Sequence, residues 1–309
     1  MTTLRLAPPA VSALARITGL ALPLLFIAMW SSGYVVGKLA VPYAGPFTLL
    51  AIRFGLASFV LLVVALAVRA PWPANRRQFG HLVVVGLLIQ ALQFSGLYTA
   101  LKLGVSAGES ALIVGTMPVF TALGAAFVFG ERLGAKQWLG MAGGVMGVVL
   151  VVWHKLGTGS AGVGAYAAAV VALAGVTLGT LYQKKFCAGM DLRTGGFVQL
   201  AVATLVALPV SLFVEGFDVR WTPAMLFASG WLAVVNSIGA TSLLFLMMRK
   251  GEASKVASLF YLTPGVTALM AFALLGETLS AMTLAGFLAT AGAVYLCTVP
   301  PDLCEAKHS

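Results

Sequence analysis

The chain has 309 residues, of which 60% are hydrophobic and only 9% are charged, and its mean hydropathy is +1.00. Soluble domains average about 45–50% apolar and about 25% charged residues, so this composition excludes an ordinary soluble enzyme or binding domain. A net charge of +10 would suit a nucleic-acid partner in a soluble protein, but here the Lys and Arg residues stand in short gaps between apolar runs. That distribution is typical of membrane proteins. We therefore predict an all-α integral membrane protein without a nucleic-acid partner.

The first apolar run follows Arg5 and Arg16 and at first sight resembles a secretory signal peptide. It continues past residue 36, whereas a signal core has about 7–15 residues, so we predict a retained first span. Recurring apolar windows of about 20 residues predict ten membrane spans in all. They lie near residues 18–40, 46–69, 79–102, 107–129, 135–153, 162–186, 194–214, 223–248, 254–275 and 280–299.

The basic residues support this count. Ten spans place both termini on one side, and fourteen Lys and Arg residues then fall on that side against four on the other, which are Lys38, Lys102, Lys155 and Arg220. Cytoplasmic loops carry such an excess, so we predict that both tails, 1–17 and 300–309, are cytoplasmic.

One segment of the sequence occurs twice, in two similar copies. Residues 117–133 read MPVFTALGAAFVFGERL, and residues 263–279, 146 positions later, read TPGVTALMAFALLGETL. This spacing divides the chain into two five-helix units, 18–156 and 157–299, and five is an odd number, so the second unit enters the membrane inverted. Inverted repeats are typical of secondary transporters, whose halves rock about a site near the midplane. Duplication as a mere evolutionary origin of a bundle is the alternative.

The repeated segments, together with Trp30 and Lys38 in the first span and Arg53 in the second, resemble the EamA-like branch of the drug/metabolite transporter superfamily. The resemblance covers the whole chain. It implies a ten-helix exporter of amino acids or related small metabolites, working by alternating access in the bacterial inner membrane. It does not name the substrate.

Charged residues inside a membrane span are expensive and mark functional sites by default. Arg53 is the clearest, as an anchor for a substrate carboxylate or as a structural latch between helices. Polar and aromatic side chains on several other spans could line a cavity for a zwitterion. The candidate substrate-binding residues are Trp30, Ser32, Tyr34, Arg53, Gln90, Gln93, Tyr98, Tyr182, Gln199, Asn236 and Tyr261.

A second set of residues predicts hinges and gates. Pro118 and Pro264 occupy equivalent mid-helix positions, where a proline removes a backbone hydrogen bond and permits a kink. The charged candidates for gating are Lys38, Glu109, Glu131 and Glu277. Glu109, paired with Lys38 or Lys102, is a candidate proton site; the alternative, which we favour, is a facilitator that moves its solute down the gradient.

Other classes are less well supported by the residues. The three cysteines, Cys187, Cys297 and Cys304, are scattered without CxxC spacing, so we predict no metal, cofactor or disulfide. A membrane enzyme would need a catalytic constellation that is missing from the spans, so we predict a non-enzyme. A lipid or polyprenyl-carrier flippase of the same fold stays open as an alternative, as do a monomer and a homodimer.

Overall fold

The computed structural model describes residues 13–130, 134–158, 161–249, 253–278 and 281–298. Within these ranges the chain is helical apart from its turns and one isolated bridge between Ala44 and Val219. Glu131 and most of the two predicted tails lie outside the described residues, as does the side chain of Tyr261. Predictions on those residues stay predictions.

The helices follow the predicted windows to within a few residues. Two of them contain a π-helical segment, in which the backbone bonds skip one residue further than in an α-helix. The helices are α1 Ala13–Ala40, α2 Pro46–Ala67, α3 Arg76–Val85, α4 Gln93–Lys102, α5 Ala107–Gly115, α6 Met117–Phe129, α7 Ala135–Thr158, α8 Val163–Phe186, α9 Leu192–Phe213, α10 Pro223–Gly230, α11 Thr241–Arg249, α12 Ala253–Leu275 and α13 Ala281–Thr298. The π segment Gly86–Leu92 joins α3 to α4, and the π segment Trp231–Ala240 joins α10 to α11.

Seven helices of the described chain are long and apolar enough to cross a membrane. They are Ala21–Ala40, Pro46–Ala67, Arg76–Lys102, Ala107–Val128, Val163–Phe186, Leu192–Phe213 and Pro223–Leu244. Three shorter apolar helices accompany them, Gln137–Leu150, Leu262–Leu275 and Leu284–Leu296. The protein is therefore an all-helical membrane protein.

The two π segments lie at equivalent positions of the two halves. Gln90 in the first is 146 positions before Asn236 in the second, which is the spacing of the repeated sequence. A glycine of a neighbouring helix packs against each π segment, and the two glycines occupy equivalent positions of the two halves. A Cβ at Gly33 of α1 would crowd the Asn236 side chain, and one at Gly179 of α8 would crowd Ile89. Close approach at these glycines brings α1 and α8 against the segments whose helical hydrogen bonding is irregular.

Helices α2 and α9 form an antiparallel pair that joins the two halves. At one end, Thr48 near the start of α2 shares a 2.6 Å hydroxyl contact with Ser211 near the end of α9. At the other end, the Thr194 hydroxyl at the start of α9 donates to the Pro71 carbonyl beyond the end of α2, at 2.8 Å. We name these the Lys38 end and the Asp191 end after the charged residues beside them. The Lys38 end is the one that the basic residues predict to face outward.

The two candidate hinges differ. Pro118 follows an interruption, because α5 ends at Gly115 and α6 begins at Met117. Pro264 lies inside the uninterrupted helix α12. The Thr116 hydroxyl donates to the Ile113 carbonyl at 2.6 Å, a local bond that competes with regular helical pairing. The sequence predicts equivalent kinks, whereas the helix is broken in the first half only.

Candidate functional site

Arg53 is the centre of a buried cluster between the halves. Its side chain is 4% exposed, and its Nε donates to the Ser237 hydroxyl at 2.9 Å while Nη1 donates to the Tyr98 hydroxyl. The guanidinium carbon lies 4.5 Å from the centre of the Phe94 ring and 5.1 Å from that of Phe54. A guanidinium stacked on aromatic faces keeps part of the stabilisation that it loses on leaving water. Arg53 is thus held in place before any solute arrives.

Helix α1 completes the cluster on one side. The Ser32 hydroxyl donates to the Met29 carbonyl at 2.7 Å and accepts from the Trp231 indole at 2.8 Å. The Asn236 amide nitrogen also donates to the Met29 carbonyl, at 2.6 Å. These bonds tie the first span of the first half to the π segment of the second half.

Two buried amide oxygens on the neighbouring helical segments have no hydrogen-bond donor among the described residues. They are Gln93 Oε1 and Asn236 Oδ1, and their side chains are both 7% exposed. Each residue is next in sequence to one that contacts Arg53, because Phe94 follows Gln93 and Ser237 follows Asn236. A buried acceptor without a donor costs about 1–3 kcal/mol, so this region is prepared to accept hydrogen bonds.

Other predicted substrate residues lie elsewhere or have apolar neighbours. Trp30 packs edge-on against Phe260 with ring centres 5.2 Å apart, and Tyr34 is buried in the main apolar core. The Tyr182 hydroxyl contacts His81 Nδ1 at 2.8 Å near the Asp191 end. Gln199 is buried on α9, where its backbone packs on Gly86. Gln90 lies half-buried in the first π segment. Of the predicted set, the structure joins Arg53 to Tyr98 through a hydrogen bond, and it brings Ser32 and Asn236 together at the Met29 carbonyl. Gln93 precedes Phe94, whose ring lies against Arg53.

Three of the candidate gating charges, Lys38, Glu109 and Glu277, meet at the Lys38 end. The Lys38 ammonium donates to the carbonyls of Leu101 and Val105 at 2.8 and 2.7 Å, and it interacts electrostatically with Glu277 and Glu109. Glu109 is 4% exposed and accepts from the Tyr166 hydroxyl at 3.0 Å. Glu277 Oε1 accepts from the backbone N–H of Ala107, the first residue of α5, at 3.0 Å. A carboxylate is favourable there because the helix N-terminus has unpaired N–H groups and a positive dipole end.

Asp191 is the clearest titrating group outside the spans. Its carboxylate accepts from the Arg193 guanidinium at 2.7 Å and caps α9 through the N–H groups of Arg193 and Thr194. The Arg193 hydrogen bond is the main reason that the pKa of Asp191 lies below its ordinary value.

The chain matches the model of the EamA-like transporter family twice, over residues 17–153 and 163–299. The chain belongs to this family. A relative from Salmonella typhimurium (strain LT2), named a probable amino-acid metabolite efflux pump, is 28% identical over 287 residues, covering 89% of this chain and 93% of its own. An inner membrane transporter of Escherichia coli (strain K12) is 28% identical over 284 residues and 90% of each chain. A solved crystal structure with 21% identity has the same fold, with a TM-score of 0.62 over 95% of this chain and 99% of its own.

This EamA-like protein is therefore a membrane transporter, and the family and its named relatives point away from an enzyme. The Arg53 cluster draws on both matched ranges, since Arg53 and Tyr98 lie in the first and Ser237 in the second.

Several functional candidates of this EamA-like transporter escaped the sequence analysis. They are Ser237, Phe94, Tyr166 and Glu215, each of which has a partner that is distant in the sequence. Ser237 directly follows the predicted Asn236 in the sequence, and this adjacency is the signal that points to it. Glu215 lies in a loop after α9, where hydropathy carries no signal.

Proposed function

We propose that this transporter exports amino acids or related small metabolites across a bacterial inner membrane by alternating access of its two halves. The observation that carries the proposal is the Arg53 cluster, which takes side chains from both halves and leaves Gln93 Oε1 and Asn236 Oδ1 without donors. An antiparallel α2–α9 pair, with equivalent residues at opposite ends, supports an inverted arrangement of the halves.

The chemistry of the cluster suits a zwitterion. An ammonium group donates hydrogen bonds, and the two free amide oxygens accept them. The fixed guanidinium of Arg53 creates a positive potential that favours a carboxylate nearby, although its own bonds to Ser237 and Tyr98 make it a positioning group as much as an anchor. The name of the Salmonella relative, an amino-acid metabolite efflux pump, is in keeping with this substrate class.

Uptake of radiolabelled amino acids by counterflow in proteoliposomes tests the proposal. Arg53→Ala and Gln93→Leu are expected to lower the rate at least about tenfold, since each removes a charge-assisted or buried polar contact. Ser58→Ala is the matched control, because the Ser58 hydroxyl donates to the Gly55 carbonyl of its own helix. Absence of flux for every amino acid and related metabolite would refute the export hypothesis, and movement of a labelled lipid in the same vesicles would support a flippase instead.

For energy coupling we propose facilitation down the solute gradient. Glu109 supports this choice, because it lies in the first turn of α5 at the Lys38 end, where it accepts from the Tyr166 hydroxyl. An imposed pH gradient is expected to leave the counterflow rate unchanged. A rate that rises with an inward or outward proton gradient and loses this dependence in Glu109→Gln would assign proton coupling to Glu109.

A further inference from the structure

The start of α2 lacks a cap of its own. Gly45 is the N-cap residue, with no side chain to accept a hydrogen bond, and Pro46 follows it. The next backbone N–H groups are satisfied by Glu215, whose Oε1 accepts from Phe47 at 3.1 Å and whose Oε2 accepts from Thr48 at 2.7 Å. Glu215 belongs to the loop after α9, in the other half of the chain. A helix of one half is therefore capped by a carboxylate of the other.

A chain of hydroxyls extends this cap into the α2–α9 contact. The Thr48 hydroxyl donates to Glu215 Oε2 at 2.7 Å, which leaves its oxygen to accept from Ser211 at 2.6 Å. Thr48 and Ser211 are both fully buried. Three bonds to one carboxylate hold the end of α9 to the start of α2.

The loop between α1 and α2 is fastened to the same place. The backbone N–H of Arg220 donates to the Tyr43 carbonyl at 2.9 Å, its guanidinium donates to Pro42, and the Lys102 ammonium donates to the Val41 carbonyl at 2.5 Å. A cavity of about 300 Å³ adjoins these bonds. It is lined by Pro42, Tyr43, Ala44, Gly45, Lys102, Glu215, Asp218 and Arg220. Its volume admits water, which can replace the bonds when the ends of α2 and α9 separate.

The Asp191 end is built differently at the equivalent positions. Asp191 stands 146 positions after Gly45 and caps its own helix, through the N–H groups of Arg193 and Thr194. The position equivalent to Glu215 is held by Arg69, which has no carboxylate to offer. The carboxylate bridge between halves thus belongs to the Lys38 end.

We propose that Glu215 is a gating residue of the transporter, the latch that must release α2 before the Lys38 end opens. This inference rests on the proposed alternating access. Glu215 acts through the backbone of α2 and does not touch the Arg53 cluster, so it sets how often the gate opens and not how tightly solute binds.

Cysteine accessibility tests the latch without any substrate. The reporter is Ala207→Cys, which is 2% exposed and lies one turn before Ser211 on α9, in a background where Cys187, Cys297 and Cys304 are replaced by Ser. A water-soluble maleimide labels this cysteine in detergent micelles when the Lys38 end opens. Glu215→Ala is expected to raise the labelling rate about tenfold, because bonds to a charged group are lost. Glu215→Gln, which keeps the size of the side chain, is expected to give an intermediate rate.

The matched control is Asp191→Ala, which removes a cap of similar kind at the other end and is expected to leave the labelling rate unchanged. A parental rate in both Glu215 variants would overturn the proposal. An equal rise in Asp191→Ala would also overturn it, since general loosening would then explain the effect.

Transport provides a second, independent measurement. In counterflow, the Glu215 variants are expected to change the maximal rate severalfold with an unchanged half-saturation constant, whereas Gln93→Leu raises the latter. Increased labelling together with absent amino-acid flux would refute the proposed function and leave the latch standing. A changed half-saturation constant in Glu215→Gln would refute the gating role.

Discussion

The starts of α2 and α9 occupy equivalent positions of the two halves, yet they are capped in opposite ways. At the start of α2, Gly45 contributes no side chain and Glu215 reaches across from the other half. At the start of α9, Asp191 caps its own helix. The first cap joins the two halves, whereas the second lies within one half, where the Thr194 hydroxyl makes a single bond to the Pro71 carbonyl of the other half. The two ends of the α2–α9 pair are therefore capped differently.

Among the variants that test this comparison, Gly45→Ala is expected to have the largest effect on stability. A Cβ at this position would occupy the place of the Glu215 carboxylate, which must then leave the N–H groups of α2. We expect a loss of about 2–3 kcal/mol of stability, because hydrogen bonds to a charged group are lost. Thermal unfolding in detergent measures it. Gly162→Ala is the control, since Gly162 is also an N-cap with extended backbone and its Cβ would meet nothing within 4 Å. An equal drop in melting temperature for both variants would contradict the role given to Glu215.

Thr48→Val and Thr194→Val compare the two ends directly, since these residues are 146 positions apart. The Thr48 variant leaves the Ser211 hydroxyl and one Glu215 bond unsatisfied, for an expected loss of about 1–3 kcal/mol. The Thr194 variant loses one bond to the Pro71 carbonyl, for about 0.5–1.5 kcal/mol. The ratio of the two losses, read from melting temperatures, is the measurement. If Thr194→Val is the more damaging of the two, the Asp191 end is the more tightly held and the comparison is reversed.

Asp191→Asn gives the smallest effect and depends on pH. Asn retains the capping oxygen, so the variant removes the charge and the second acceptor that Asp191 offers to Arg193, in an exposed contact that contributes little to stability. The pKa of Asp191 is lower in the folded protein than its ordinary value of about 3.9. The carboxylate therefore stabilises the fold above that value, and this contribution is lost as the pH falls through the folded pKa. Melting curves of parent and variant should differ at pH 7 and converge once the pH is below the folded pKa of Asp191. A difference that persists unchanged at that pH would show that Asp191 acts through shape alone.

Hydropathy and the sequence repeat predicted much of the fold. The apolar windows coincide with the observed helices to within a few residues, since the transfer of each segment out of water depends on its own side chains. The two family matches fall on the two repeated units. The resemblance to EamA-like transporters is confirmed, whereas ten spans and inverted topology stay proposals supported by the antiparallel α2–α9 pair.

In one place the structure differs from what the sequence repeat predicts. Pro118 and Pro264 are equivalent in sequence, which predicts equivalent kinks, but Thr116 precedes the first proline and the helix stops there, whereas Leu262 stands at the equivalent position of the continuous α12. At the break, the Thr116 hydroxyl bonds to the backbone of its own turn.

The sequence predicted which kinds of residue form the site, but it did not predict which of them contact each other. Arg53 stood out because a charge inside a span needs partners. Its partners Tyr98 and Ser237 lie 45 and 184 positions away, and Glu215 lies 167 positions from Thr48. Length, charge and hydropathy are sums over local residues, so the sequence by itself determined a two-unit helical membrane transporter of this family. The tertiary structure alone decided which partners surround Arg53 and which end of the α2–α9 pair carries the Glu215 cap, because those contacts form only when helices of both halves pack together.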